Sequence, residues 1–68
     1  MLVNLKKTRE DKGLTQEQLA NQVNVSRQSI ISIEKGHYVP TTLLAMKIAA
    51  ILKLRIEDIF TLEQGDWE

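Results

Sequence analysis

The 68-residue chain has no cysteine, which excludes disulfides and every cysteine-based metal site. His37 is the only histidine, and no cluster of Asp and Glu surrounds it at ligand spacing. Neither a metal nor a cofactor is therefore expected. No apolar run approaches the roughly 18 residues needed to cross a bilayer. The opening MLVNLKKTRED lacks the long apolar core and small-residue end of a secretory leader. The expected location is the cytoplasm, with no membrane partner, and the triplet NVS at 24–26 is then a chance match to a glycosylation signal. Repeats, low-complexity tracts and linkers are also missing. At this length one domain over 1–68 is expected, with a single core worth only about 3–5 kcal/mol of net stability.

Net charge is lacking as well, with nine basic and nine acidic residues. A balance of zero argues mildly against a nucleic-acid partner, but the charges are unevenly spread. Residues 1–40 carry six basic against four acidic side chains, a net +2, and residues 41–68 carry three against five, a net −2. The local field matters more than the total, and the basic end lies in the first forty residues.

The residues present punctuate the chain into five helical segments. Asn4 can cap a first helix running to Lys12, after which Gly13 suits the left-handed position that closes a helix. Leu2 and Val3 precede the cap and can form a short strand. TQEQLANQV opens on a capping box, with Thr15 as N-cap and Gln18 reaching back to it. Leu19, Ala20 and Val23 form one apolar face, and Asn24 tolerates the positive φ that ends the segment. Ser26 caps a third helix with Ile30 and Ile33 as its inward stripe, closed by Gly36. Pro40 keeps Val39 out of a helix. Thr41 caps a fourth helix to Leu52, with Leu44, Ile48, Ile51 and Leu52 as its stripe. A short fifth helix covers about 56–60, and Arg55 stands where a good N-cap is expected.

Two short helices joined by about three residues, the second separately capped, make a steep helix–helix corner. Small Ala20 lets the backbones approach, and Val25 plugs the bend. Burial of Ile30 and Ile33 against Leu19 and Val23 turns Arg27, Gln28, Ile31 and Ser32 outward. TQEQLANQVNVSRQSIISIEKGHYVP resembles the helix-turn-helix of the Cro/phage-repressor (XRE-like) family of transcriptional regulators. The resemblance extends through LKKTREDKGLTQEQLA ahead of it and AMKIAAILKLRIEDIF behind.

The resemblance implies an all-α, compact five-helix DNA-binding domain, with the helix-turn-helix at about 15–36 and a tail at 61–68. It also implies a homodimer on an inverted repeat, similar to the small cytolysin-type repressors. Double-stranded DNA, read in the major groove, is the implied partner, and no small-molecule ligand is evident. Carried onto this chain, it gives Arg27 and Gln28 bidentate contacts to guanine and adenine, which those side chains can make. Ser32 reaches base edges or sugar, and Ile31 faces thymine methyls. Gln16, Ser26, Ser29, Lys35, His37 and Tyr38 are placed to touch phosphates. Arg9 and Glu34 match a buried ion pair common in the family. The chain departs from the usual pattern at Asn24, where glycine is common, and at Ile31, where a small polar residue is common.

Blander readings stand beside these. Arg27, Gln28 and Ser32 by themselves are an ordinary solvated face, and only the two-helix spacing makes them a reading surface. Ile31 is equally a stray exposed apolar residue, which surfaces tolerate. His37 is otherwise a loop residue, and Tyr38 can pack its ring on the fourth helix. Phe60, Leu62 and Trp67 close the core or, with Ile59, form a dimer seam. A short strand at 60–62 pairing with 2–4 would belong to the same region. An enzyme is disfavoured, since there is no cysteine, no histidine-centred constellation, no glycine-rich phosphate loop and little volume to enclose a substrate. The rival from another class is an antitoxin-like protein-interaction module that also binds DNA.

Overall fold

The computed structural model describes all 68 residues. Strand β1 (Leu2–Val3) leads into α1 (Leu5–Asp11), α2 (Gln16–Val23), α3 (Arg27–Glu34), α4 (Thr42–Leu52), α5 (Ile56–Ile59) and strand β2 (Phe60–Thr61). A single 3-10 turn, Gln64–Trp67, ends the chain. The fold is all-α with five helices, and the two terminal strands pair antiparallel in the register Leu2↔Thr61 and Val3↔Phe60.

One device ends each of the first four helices. The residues at 13, 24, 36 and 53 are left-handed. After each, the next backbone N–H reaches back five residues: Leu14 to Arg9, Val25 to Ala20, His37 to Ser32 and Leu54 to Ala49. This is the Schellman closure, which satisfies carbonyls the helix leaves orphaned. Glycine supplies two of the four positions without a Cβ penalty. Asn24 supplies the third at φ 60, and Lys53 the fourth at φ 57. Leu14, Val25 and Leu54, the residues that follow three of these turns, pack partly buried against the core, the hydrophobic contact that usually accompanies the motif.

The starts follow the expected caps in three of five helices. Thr15, Ser26 and Thr41 each accept a backbone N–H three residues on. Asn4 makes no side-chain cap bond; Thr8 instead turns back to the Asn4 carbonyl at 2.9 Å. At Arg55 the roles reverse, since the Asp58 carboxylate accepts the Arg55 N–H at 3.0 Å. That bond holds the Asp58 carboxyl below its usual range, helped by the Arg55 guanidinium.

The core gathers Leu5, Leu19, Ile30, Ile33, Ile48 and Leu52, all without exposed surface. Each such side chain contributes about 1.5–3 kcal/mol of burial. Ile51 is only half-buried, and Ala45 and Ala49 take the core-facing side of α4 instead. Phe60 leaves α5 to begin β2, one residue earlier than the helical expectation. Packing runs in order: α3 lies against α1 and α2, α2 against α4, α4 against α5, and α5 against the strand pair. The molecule is 35 Å long and about 20 Å across, at 21 × 19 Å. No helix is long and apolar enough to cross a membrane.

Candidate nucleic-acid interface

The corner between α2 and α3 orients every residue that follows. Thr15 Oγ1 accepts the Gln18 N–H at 3.0 Å, and Gln18 Oε1 accepts the Thr15 N–H at 2.8 Å. At the other end of α2, the left-handed Asn24 reverses the chain within two residues. Ser26 then caps α3, its hydroxyl 3.1 Å from the Ser29 nitrogen and 3.0 Å from the Ser29 hydroxyl. Ala20 and Val23 lie buried in the same cluster as Ile30 and Ile33, so the other side of α3 points away from the protein.

Arg27 and Gln28 are exposed on that side, and Ile31 and Ser32 are half-buried one turn further along. Gln28 Nε2 donates to Ser32 Oγ at 3.4 Å, a long bond that sets the amide near the hydroxyl. The second amide hydrogen and the Gln28 carbonyl stay free, which is the donor–acceptor pair that adenine requires. The eight residues of α3 span about 12 Å at 1.5 Å per residue, and a helix about 10–12 Å in diameter fits the ~12 Å width of the major groove.

The far end of α3 is fixed by charge. Arg9 Nε donates to Glu34 Oε2 at 2.7 Å and Arg9 Nη2 to Glu34 Oε1 at 3.3 Å. Both side chains are nearly buried, at 8% and 5% exposure. Hydrogen bonding to Glu34 raises the Arg9 pKa further above its already high ordinary value, so the guanidinium stays charged. Arg9 Nη1 also donates to the Leu14 carbonyl at 2.7 Å, which ties the α1–α2 connection into the same cluster. No buried polar side-chain atom lacks a partner.

Gln16 makes a contact beyond its sequence reading. It is half-buried, and its Nε2 donates to Glu34 Oε1 at 3.0 Å. The ion pair is therefore a triad that joins α1, the first turn of α2 and the last turn of α3. One amide hydrogen of Gln16 remains for a phosphate, and its position is set by Glu34. No spacing rule in the sequence signals this bond, because it depends on how the ends of α2 and α3 meet.

Lys35, His37 and Tyr38 are exposed just beyond α3. The His37 N–H donates to the Ser32 carbonyl at 2.9 Å, which fixes the path of this loop. Phosphate-contact candidates thus stand at both ends of α3: Ser26 and Ser29 at its start, Gln16, Lys35, His37 and Tyr38 at its finish. Tyr38 is 41% exposed. Of the residues read as a dimer seam, Ile59 has no exposed surface and Phe60 only 8%. The structure places both in the core of the protomer, because α5 packs between α4 and the strand pair; Leu62 and Trp67 alone stay exposed. No group of three or more His, Cys, Asp or Glu side chains is placed to hold a metal.

The family profile described as helix-turn-helix matches residues 5–59. The chain belongs to the helix-turn-helix transcriptional regulators of the Cro/phage-repressor type. Among its relatives is an uncharacterized HTH-type transcriptional regulator of Methanocaldococcus jannaschii, 54% identical over 54 residues, which cover 79% of this chain and 82% of the relative. Another, from Methanothermobacter thermautotrophicus, is 49% identical over 61 residues, 88% of each chain. Among solved structures, the restriction-modification controller protein C.AhdI from Aeromonas hydrophila aligns with a TM-score of 0.77 at 28% identity, over 84% of this chain and 86% of that one. In helix-turn-helix proteins the second helix of the motif enters the major groove and the first crosses the backbone; α3 and α2 occupy those two places here. The family's chemistry is DNA recognition, not catalysis.

Proposed function

We propose that the protein is a sequence-specific repressor that binds an inverted-repeat operator as a homodimer. Arg27, Gln28, Ile31 and Ser32 read base edges, and Gln16, Ser26, Ser29, Lys35, His37 and Tyr38 hold phosphates. The observation that carries this reading is the outer face of α3. Its inner face is pinned by Ile30 and Ile33 and its end by Glu34, so four side chains are presented on a fixed helix. Phosphate contacts at either end would set its register, and base contacts between them would set the sequence.

Reading DNA with one helix is weak, and a twofold dimer places two such helices about 34 Å apart on successive turns of one face. A bound dimer of this size acts most simply by occluding polymerase. Such a role places the protein in the cytoplasm, with the chromosome.

Substitution tests the reading directly. Arg27→Ala and Gln28→Ala should each weaken operator binding by about 1–3 kcal/mol. Both should leave the melting temperature unchanged, because neither side chain is part of the core. An equal loss on random duplex DNA would contradict base readout.

A further inference from the structure

We infer that Ile31 makes binding sensitive to base methylation, an inference that rests on the proposed reading of DNA by α3. The side chain favours a pyrimidine that carries a C5 methyl, thymine or 5-methylcytosine, over one that lacks it.

Ile31 lies between the two side chains that read purines. At about 100° per residue it falls about 40° from Arg27 and about 60° from Gln28 around the helix axis, one turn further along. Ile30 and Ile33 face inward without exposed surface. Arg27, Gln28 and Lys35 around Ile31 are exposed, and Ser32 is half-buried, so one apolar side chain sits within a polar ring. Half-buried apolar residues elsewhere, such as Val25, Ile51 and Leu54, pack against the core, and Ile31 does not belong to that set.

Two properties of isoleucine fix what such a residue can read. It is branched at Cβ, so one χ1 rotamer dominates in a helix and its methyl groups project in a fixed direction. It has no hydrogen-bond donor or acceptor. It therefore cannot tell the thymine O4 acceptor from the cytosine N4 donor, which polar side chains distinguish. What is left for it to sense is apolar surface, and the C5 methyl is the apolar group that the major groove displays. In 5-methylcytosine that methyl stands at the same ring position as in thymine. Burial of one such methyl is worth about four-fold in affinity. An unmethylated pyrimidine leaves the Ile31 surface against water. An operator with cytosine at this place would accordingly bind more tightly once methylated.

The test starts from the duplex that the full chain selects from random sequences. Each thymine is exchanged for uracil and each cytosine for 5-methylcytosine, one position at a time, and affinity is read by fluorescence anisotropy. Every exchange keeps the Watson–Crick partner and changes only the C5 methyl. The expected result is a pyrimidine position at which the methylated form binds about four-fold more tightly, and about sixteen-fold when both half-sites are exchanged. No charge changes, so the ratio should hold as salt is raised while both affinities fall. Ile31→Ser should abolish the ratio at that position with an unchanged circular dichroism spectrum, and Ile31→Val should retain most of it. An operator with no position that prefers the methyl, or a preference that survives Ile31→Ser, would overturn the inference and leave sequence-specific binding intact. A wild-type chain that selects no sequence would instead overturn the proposed function, and this inference with it.

Discussion

At Glu34 one carboxylate accepts from Arg9 Nε, Arg9 Nη2 and Gln16 Nε2, so a single side chain joins three helices behind the reading face. Desolvation offsets much of the attraction in such a pair, but removal of one partner strands the other charge. Glu34→Ala should therefore cost about 3–5 kcal/mol, read as a lower denaturant midpoint, because Arg9 remains charged and nearly buried. Lys7 and Asp11 are a useful contrast. Their pair, at 3.3 Å, has both side chains well exposed, and such pairs contribute about 0–1 kcal/mol. Ile31 is also defined by its surroundings. Being half-buried, it neither closes the core nor stands free, and under the proposed reading its exposed part would meet a thymine methyl.

At the scale of elements, local chemistry decides where helices begin and end, which is why so much of the fold was legible. Thr15 with Gln18, Ser26, Thr41, Gly13, Asn24 and Gly36 all act within five residues of themselves. Lys53 was not legible, because lysine has no preference for positive φ. There the pull comes from Leu54, which packs on the core and whose N–H closes the helix on the Ala49 carbonyl at 3.0 Å. Likewise Gln16 meets Glu34 and Ile59 enters the core only through packing between distant segments, which no local pattern encodes. The weakly capped α5 carries a pH signature. A carboxylate whose pKa falls on folding stabilises the folded chain above its ordinary value, here 3.8 for Asp58, and loses that contribution as pH drops through the depressed value. Asp66 shifts in the same direction, since it accepts the Glu63 N–H and pairs with the Met1 nitrogen. The expected outcome is a loosening of α5 and the tail below about pH 4, seen by hydrogen exchange or NMR titration. Asp58→Asn should remove the part of it that lies in α5.

At the scale of the whole molecule, the packing order sets two regions apart. Helix α3 occupies one end of the chain of contacts, and the α5–strand region with the acidic tail occupies the other. The net +2 of residues 1–40 and −2 of residues 41–68 follow the same division, so phosphate repulsion falls on the segment furthest from the reading helix in the packing order. A zero total charge was a poor guide, because affinity for phosphates depends on the field near the contact. Selection of bound sequences from random duplex DNA probes reading, symmetry and spacing at once. The expected result is an inverted repeat with half-site centres about 10–10.5 bp apart, or a multiple of that spacing, lost when Arg27 and Gln28 are both replaced by alanine. Failure of the wild-type chain to enrich any sequence would contradict sequence-specific recognition by α3.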